Sequence, residues 1–249
     1  MKDATPDFSV TGALFPPIHP EGIRFGAVAI VLALLLTVPP AILCALRGHP
    51  MAAGIFAALA LPLLLSACGV FLFFRDPERF PPEDDPLALL SPADGRVCRM
   101  RRIPLPPQIA DEASKAAGDV WCVSVFMSVT NVHVNRAPAA ARVVRRAYVP
   151  GKFVNASLDK ASEDNERCLY LMETPDGSRF GVVQIAGLVA RRIVSFAEEG
   201  TELARAERFG LIRFGSRLDV YLPPGIRPEV GIGQTMVAGE TVLAHLPEA

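Results

Sequence analysis

Two long apolar runs dominate the first third of the chain. No charged residue occurs from Phe25 to Leu46 or from Met51 to Phe74, and only Arg47-Gly-His-Pro50 separates the two runs. Each run is long enough to cross a hydrocarbon layer about 30 Å thick, at about 1.5 Å per helical residue. The pattern predicts an N-terminal segment, residues 1–24, followed by a helical membrane hairpin, residues 25–75.

The details of this hairpin leave several alternatives open. Pro39-Pro40 removes two backbone donors, so we expect it to kink or break the first helix. A signal peptide fits poorly, because a second apolar run follows where a cleavage site and a polar chain would stand. A re-entrant or monotopic insertion stays open, as does a hairpin buried in a globular core. The remaining chain is small for wrapping two wholly apolar helices, which favours the membrane.

The pattern changes after Arg75. Asp76–Pro86 is charged and rich in proline, which is typical of linkers and turns. Short β-type runs then recur about every 8–12 residues, which predicts a compact antiparallel β domain, barrel- or sandwich-like, over residues 76–249. Lys152–Glu166 has no strand pattern and is long enough to form a lid. The runs are Gly95–Met100, Val120–Val129, Val132–Val134, Ala141–Val149, Cys168–Glu173, Arg179–Ile185, Arg191–Phe196, Gly210–Arg213 and Arg217–Leu222.

Composition and charge narrow the class of protein. The formal net charge is −1, so no global basic field indicates a nucleic-acid partner. The five cysteines lack CxxC spacing, which argues against a disulfide framework or a zinc site and favours a reducing compartment. Arg24, Arg75 and Arg79 flank the outer ends of the hairpin against only Arg47 in its turn. This asymmetry predicts a catalytic domain on the cytoplasmic face of the cell (inner) membrane.

Three short segments hold candidate chemistry: Ser91-Pro-Ala-Asp94-Gly95, the segment around His133, and Arg213-Phe-Gly-Ser-Arg217. Period-two alternation places His133 with Asn131 and Asn135 on a polar face, opposite Val132 and Val134. Glycine before Ser216 permits a strained backbone with its carbonyl open to the serine hydroxyl. Taken singly, these features also fit two turns and a structural histidine.

Together these segments and their neighbours resemble the phosphatidylserine decarboxylase family, in its shorter bacterial and archaeal form. The resemblance covers nearly the whole chain and includes the apolar N-terminal segment. The matching stretches are Phe74-Arg-Asp-Pro-Glu-Arg79, Ser91-Pro-Ala-Asp-Gly-Arg-Val97, Phe126-Met-Ser-Val-Thr-Asn-Val-His-Val-Asn-Arg-Ala-Pro138, Gly151-Lys-Phe-Val-Asn-Ala-Ser-Leu-Asp-Lys-Ala-Ser-Glu-Asp-Asn-Glu-Arg167, Gln184-Ile-Ala-Gly-Leu-Val-Ala-Arg-Arg-Ile193 and Arg213-Phe-Gly-Ser-Arg-Leu-Asp-Val-Tyr-Leu-Pro223.

The resemblance implies an enzyme made as a zymogen. Asp94, His133 and Ser216 match the family's serine-protease-like triad, and the chain is expected to cut itself between Gly215 and Ser216. The products would be a larger chain, 1–215, and a smaller chain, 216–249, which pair as a heterodimer. Ser216 would become a covalent pyruvoyl group that forms a Schiff base with the serine headgroup of a membrane phospholipid. Phosphatidylserine would thus yield phosphatidylethanolamine and CO2, in phospholipid biosynthesis, without metal or pyridoxal phosphate.

One departure from the family pattern concerns Arg136. Longer members carry a second histidine three positions after the first, where this chain has Arg136. A planar, always charged guanidinium suits the carboxylate or phosphate of the substrate. Lys152, Arg191 and Arg192 are weaker candidates for the same role. Which group replaces the second histidine is left open, as are higher oligomers.

Alternatives from other classes remain. A non-catalytic, membrane-anchored lipoyl-like module would leave the Phe-Gly-Ser motif unused, and it lacks an evident attachment lysine. A zinc peptidase needs clustered histidines, whereas His133 is the one histidine between His49 and His245. Within the decarboxylases, a serine ether lipid of archaeal type is an alternative substrate, because the hairpin does not distinguish ester from ether lipids.

Overall fold

The computed structural model of the chain describes residues 16–151, 164–187, 192–213 and 215–247. The chain divides into two compact units, Met1–Glu78 and Arg79–Ala249. The division falls within the charged, proline-rich stretch that follows the apolar runs. Each unit is described by itself below.

The described part of the first unit contains a pair of helices, α1 (Pro20–Leu46) and α2 (Pro50–Phe73). Each begins with proline, whose fixed φ and missing N–H suit a first helical position. The ends of the pair meet, since Ile18 and Arg75 form an antiparallel bridge and His19 N donates to Phe74 O at 2.9 Å. The predicted helical hairpin is therefore confirmed.

Of the kink or break expected at Pro39-Pro40 in the first helix, the break is wrong, because α1 continues through both prolines. A helix packed along a neighbour tolerates the loss of backbone donors in an apolar setting. Glycines bring the two helices close together. A Cβ on Gly22 would lie 2.2 Å from Phe74 Cβ, and one on Gly26 would lie 2.3 Å from Phe71 Cζ.

Most side chains of both helices are exposed. The most apolar windows of α1 and α2 have mean hydropathies of 2.6 and 2.4, and only 11% and 6% of those windows is buried. A core helix of a soluble protein would be mostly buried, so this exposure disfavours the buried-hairpin alternative. Two helices near the N-terminus are thus long and apolar enough to cross a membrane.

The second unit is built almost entirely from antiparallel strands. A six-residue helix, α3 (Glu112–Ala117), is an exception that the sequence pattern did not predict. The strands of the second unit, among the described residues, are β1 (Ala88–Leu90), β2 (Gly95–Ile103), β3 (Val120–Met127), β4 (Val134–Arg136), β5 (Ala141–Val149), β6 (Arg167–Glu173), β7 (Arg179–Ala186), β8 (Ile193–Ser195), β9 (Glu202–Leu203), β10 (Arg208–Ile212), β11 (Ser216–Tyr221), β12 (Thr235–Met236) and β13 (Val242–His245).

These strands form three sheets. The largest has the order β12-β2-β3-β11-β7-β6-β5-β9, a smaller one has the order β4-β10-β8, and β1 pairs with β13. One hydrophobic cluster joins the two larger sheets, with Phe209 and Ile212 of β10 beside Tyr170 and Val182 of the large sheet. The predicted mainly β, antiparallel class is confirmed. Every predicted run overlaps a strand in the described residues, although Val132–Val134 shares only Val134 with β4. β11 lies near the middle of the large sheet.

Candidate active site

Ser216 is the first residue of β11 and is fully buried. It pairs with Met127 of β3 on one side and with Ala186 of β7 on the other. The strand alternation directs Ser216 to the same face as the core residues Leu218 and Val220. Its Oγ lies 3.9 Å from Met127 Sδ. The hydroxyl therefore faces a weak sulfur acceptor in a dry environment.

Gly215 precedes this serine with φ of +62°. A Cβ built on Gly215 would meet no atom within 4 Å, so the backbone conformation and not the available space favours glycine here. A left-handed conformation costs other residues about 1–2 kcal/mol. The Gly215–Ser216 bond thus joins a left-handed residue to the start of a fully paired strand.

The topology places the segment that contains His133 next to the connection that leads to this bond. Residues 128–133 connect β3 to β4, and residues 213–215 connect β10 to β11. Since β3 pairs with β11 and β4 pairs with β10, these two connections lie side by side. The contact is direct in the backbone, where Ile212 N donates to His133 O at 3.3 Å.

The surroundings of His133 differ from the expected alternation. His133 lies just before β4, and residues 132–136 are buried on both faces, with His133 only 2% exposed. Other parts of the second unit cover this segment on both sides, so the alternation of apolar and polar residues does not mark a solvent-exposed face here. His133 Nδ1 lies 2.9 Å from Asn131 O. Because a carbonyl oxygen only accepts, this contact places the ring proton on Nδ1 and leaves Nε2 as the basic nitrogen.

Asp94 is held by groups other than His133. Both carboxylate oxygens accept from Arg79 Nη2 at 2.9 Å, and Oδ1 also accepts from Ala238 N at 2.9 Å. The expected hydrogen bond between Asp94 and His133 is not among those of the described residues. Sequence reasoning gave Arg79 no role at the site, although its position within the Phe74–Arg79 match was a usable signal.

Arg136 lies beside this ion pair and is 4% exposed. Its backbone N donates to Pro92 O at 3.0 Å, and its Nη1 donates to Ala206 O at 3.1 Å. A Cβ on Gly239 would lie 3.2 Å from Arg136 Cδ and 3.5 Å from Arg79 Cβ, so the two arginines flank one glycine. The buried arginine is thus close to the Asp94 turn, two residues from Pro92.

Of the remaining predicted anion-binding residues, Arg192 is the one that the described residues include. Arg192 is exposed, and its carbonyl accepts from Arg213 N at 3.3 Å. Lys152 and Arg191 lie outside the described residues, as does most of the predicted lid. The next residue after Ser216 faces the other way. Arg217 is fully buried and donates to both Asp219 oxygens, at 2.8 and 3.0 Å.

The buried Arg217 guanidinium keeps its charge. Burial opposes the charge on Arg217, but the Asp219 carboxylate raises the pKa of Arg217 above its ordinary value. Across the described ranges, no group of three histidine, cysteine or acidic side chains is placed to hold a metal ion. A cavity of about 630 Å³ lies away from Ser216, between Leu105, Leu171, Arg179 and Tyr221. Among the predicted catalytic residues, His133 lies in the β3–β4 connection and Ser216 begins β11, whereas Asp94 lies between β1 and β2.

Comparisons of the sequence with known proteins identify relatives of this chain. The sequence profile described as phosphatidylserine decarboxylase matches residues 69–244. The phosphatidylserine decarboxylase proenzyme of Novosphingobium aromaticivorans is 47% identical over 243 residues, 96% of this chain and 90% of the relative. The proenzyme of Gluconacetobacter diazotrophicus is 53% identical over 220 residues, 80% of this chain and 95% of the relative. That of Ruegeria pomeroyi is 48% identical over 243 residues, 92% and 95% of the two chains.

The profile covers both the Asp94 and His133 segments and the Gly215–Ser216 bond. The relatives align over nearly their full lengths. The chain belongs to the phosphatidylserine decarboxylase family.

Proposed function

We propose that this protein is a self-processing phosphatidylserine decarboxylase that releases phosphatidylethanolamine and CO2. The observation that carries the proposal is the Gly215–Ser216 bond, where a left-handed glycine meets a buried serine beside the His133 segment. Neither a non-catalytic lipoyl-like module nor a zinc peptidase uses this arrangement. The family membership of the chain supports the same activity.

Self-processing begins at the Ser216 hydroxyl. His133 Nε2 takes the hydroxyl proton while Oγ bonds to the Gly215 carbonyl carbon. The amide C–N bond then breaks, and the peptide becomes an ester with a free amine on residue 216. Loss of the Cα proton expels the Gly215 carboxylate and leaves a dehydroalanine. One water converts that residue to a ketone and releases ammonia, which balances the reaction.

The supporting roles of Asn131 and Asp94 divide between two sites. The Asn131 carbonyl sets the His133 tautomer, a task that an acidic residue performs in many triads. Asp94 acts on His133 indirectly in the uncleaved chain. Its ion pair with Arg79 fixes the turn that contains Pro92, and the Pro92 carbonyl accepts a hydrogen bond from Arg136 N. Asp94 thereby holds the strand that follows His133.

The residues around position 216 fit a pyruvoyl group. Met127 and Ala186 flank the position and exclude water, and Ser216 itself supplies all the carbons of the group. A pyruvoyl supplies an electrophilic ketone that accepts the electrons released as CO2 departs. Arg136 is the proposed partner of the substrate carboxylate or phosphate, and Lys152, Arg191 and Arg192 are candidates for the same role.

The two products of cleavage would stay together as a heterodimer. Each strand of chain 216–249 pairs with strands of chain 1–215, since β11 lies between β3 and β7, β12 pairs with β2, and β13 pairs with β1. The helical hairpin would anchor the enzyme in the cell (inner) membrane, where its diacyl substrate resides, with the catalytic domain on the cytoplasmic face. Anchoring raises the effective concentration of such a substrate.

Intact mass spectrometry of the purified wild type and of Ser216→Ala tests the proposal. The wild type should give two chains, with the smaller one lighter by one ammonia than a chain with a free serine terminus. Ser216→Ala should give one chain and release no CO2 from serine-headed lipid. Ser178→Ala, which changes a serine in a β6–β7 turn, is the control and should behave as the wild type. An active, unbroken wild-type chain would refute the mechanism.

A further inference from the structure

A line of buried polar side chains leads away from Ser216 into the core. Ser216 Oγ and Asn135 Nδ2 approach the same Met127 Sδ, at 3.9 and 3.7 Å. Gln184 Nε2 donates to Asn135 Oδ1 at 2.8 Å, and the Tyr170 hydroxyl donates to Gln184 Oε1 at 3.0 Å. We call Met127, Asn135, Gln184 and Tyr170 the buried polar chain. All four are fully buried.

The donors of the buried polar chain all point toward the Met127 sulfur. The Tyr170 hydroxyl has one proton, which Gln184 Oε1 at 3.0 Å and Ser195 Oγ at 2.8 Å share as acceptors, because the Ser195 hydroxyl donates to Ala197 O. The amide nitrogen of Gln184 then faces Asn135, which turns its own oxygen to Gln184 and its NH2 group to Met127. The orientation of the Asn135 amide is therefore fixed by a residue 49 positions away in sequence.

The fold makes room for this contact at Gly210. A Cβ on Gly210 would lie 2.8 Å from Gln184 Nε2 and 2.8 Å from Val194 O. Gly210 pairs with Asn135 of β4 and with Ser195 of β8, and the Ser195 hydroxyl lies 2.8 Å from the Tyr170 hydroxyl. A glycine thus lets the amide of the large sheet reach the small sheet.

Buried amides are an expensive way to fill a core. Leucine or methionine would occupy much the same volume without the desolvation cost of a polar group. Asn135 also lies two residues after His133, and Gln184 lies opposite Leu218 on the face of the large sheet that Ser216 shares. The buried polar chain therefore lies beside the Gly215–Ser216 bond, the processing bond, where a polar contact can assist the cleavage reaction.

We infer that Asn135 is a positioning residue for self-processing, acting through Met127 on Ser216; this rests on the proposed function. The Asn135 NH2 group holds the Met127 sulfur against the hydroxyl. A thioether is a weak acceptor, so the hydroxyl gives up little when its proton leaves for His133. Gln184 meanwhile occupies Asn135 Oδ1, a strong acceptor that would otherwise be free to trap the hydroxyl.

The experiment follows the first-order rate of self-cleavage of the full chain after cell-free synthesis into membranes. Asn135→Leu keeps a similar volume and should slow cleavage about 10- to 100-fold, the effect of a misplaced reacting group. In a Met127→Leu background the same change should have a much smaller effect, because its intermediary is gone. Thr174→Val is the matched control, since Thr174 is a buried hydrogen-bonded residue outside the buried polar chain.

The thermal midpoint of each uncleaved chain, measured in a Ser216→Ala background, separates positioning from folding. Thr174→Val should lower the midpoint and leave the cleavage rate unchanged. Tyr170→Phe removes one hydroxyl and should slow cleavage by less than Asn135→Leu, which keeps the inference testable if the latter misfolds. Wild-type rates in Asn135→Leu or Tyr170→Phe, or additive effects with Met127→Leu, would overturn the inference. Failure of the wild type itself to cleave would instead overturn the proposed function.

Discussion

At the scale of single residues, the site depends on backbone conformation as much as on reactive groups. Ser216 is chemically ordinary, and what distinguishes it is a left-handed neighbour and a sulfur acceptor in a dry core. His133 likewise depends on the Asn131 carbonyl for its tautomer. The proposed reactivity of both residues therefore depends on these neighbouring groups and not on the side chains alone.

Gly215→Ala measures how much the left-handed conformation contributes. No atom lies within 4 Å of the added Cβ, so the cost should be conformational only, about 1–2 kcal/mol in the uncleaved state. The alanine variant should therefore fold, with a lower midpoint, and cleave more slowly because its backbone relaxes away from φ of +62°. A cleavage time course and a denaturant titration in the Ser216→Ala background check both parts.

Gly177→Ala is the control for that variant. Gly177 also has a positive φ, of 87°, and open space at its Cβ, but it lies in the β6–β7 turn, away from the Gly215–Ser216 bond. It should show a similar loss of stability and an unchanged cleavage rate. Equal cleavage rates in both alanine variants would remove Gly215 conformation from the mechanism.

At the scale of elements, an ionic clamp joins the last strand to two other segments. His245 of β13 lies 2.6 Å from a Glu229 oxygen and 2.7 Å from an Asp85 oxygen. Hydrogen bonds that the His245 ring nitrogens donate to Glu229 and to Asp85 raise the pKa of His245 above its ordinary value of 6.5. Asp85 belongs to the proposed larger chain, so its contact with His245 secures β13 of the smaller chain against the larger one, whereas Glu229 lies within the smaller chain.

The raised pKa predicts the direction of a pH effect. The imidazolium is favoured in the folded state, so the stabilisation is fully present below about pH 6.5 and is lost as the pH rises through the folded-state pKa. The effect should be modest and salt-sensitive, because the His245 side chain is 43% exposed. Thermal midpoints of wild type and His245→Gln, compared in the Ser216→Ala background, should converge as the pH rises from about 6 to 9. A gap that stays constant or widens would contradict the clamp.

At the scale of the whole molecule, self-processing would cut the chain without separating its parts. The cut lies at the start of a strand held on both sides, and three strands of the smaller chain pair with the larger one. The larger chain also carries both apolar helices. Cleavage should therefore leave one membrane-bound assembly.

Membrane fractionation tests this expectation. Both chains should stay in the pellet after alkaline carbonate washing and should enter solution together in detergent. Urea added to the detergent extract should release the smaller chain, since only non-covalent contacts hold it. Release of the smaller chain by carbonate, or of both chains by salt alone, would contradict the heterodimer or the membrane anchor respectively.

The sequence determined the elements whose signals are local. The apolar runs became α1 and α2, and the run Ala141–Val149 became β5 with the same bounds. Strand and helix periods are set by neighbours two to four residues away, so they can be read along one segment. The Gly-Ser motif was visible for the same reason.

The tertiary structure alone decided the pairings. The short strands β1, β9, β12 and β13 carry too few residues for a pattern and exist through their partners. The tertiary structure also buries the residues around His133 on both faces, pairs Asp94 with Arg79, and places Gln184 within hydrogen-bond distance of Asn135. Burial and side-chain contact depend on residues far away in sequence, which no local period records. The reactive residues of the site could thus be predicted from the sequence, whereas the arrangement of those residues was decided by the packing of two sheets.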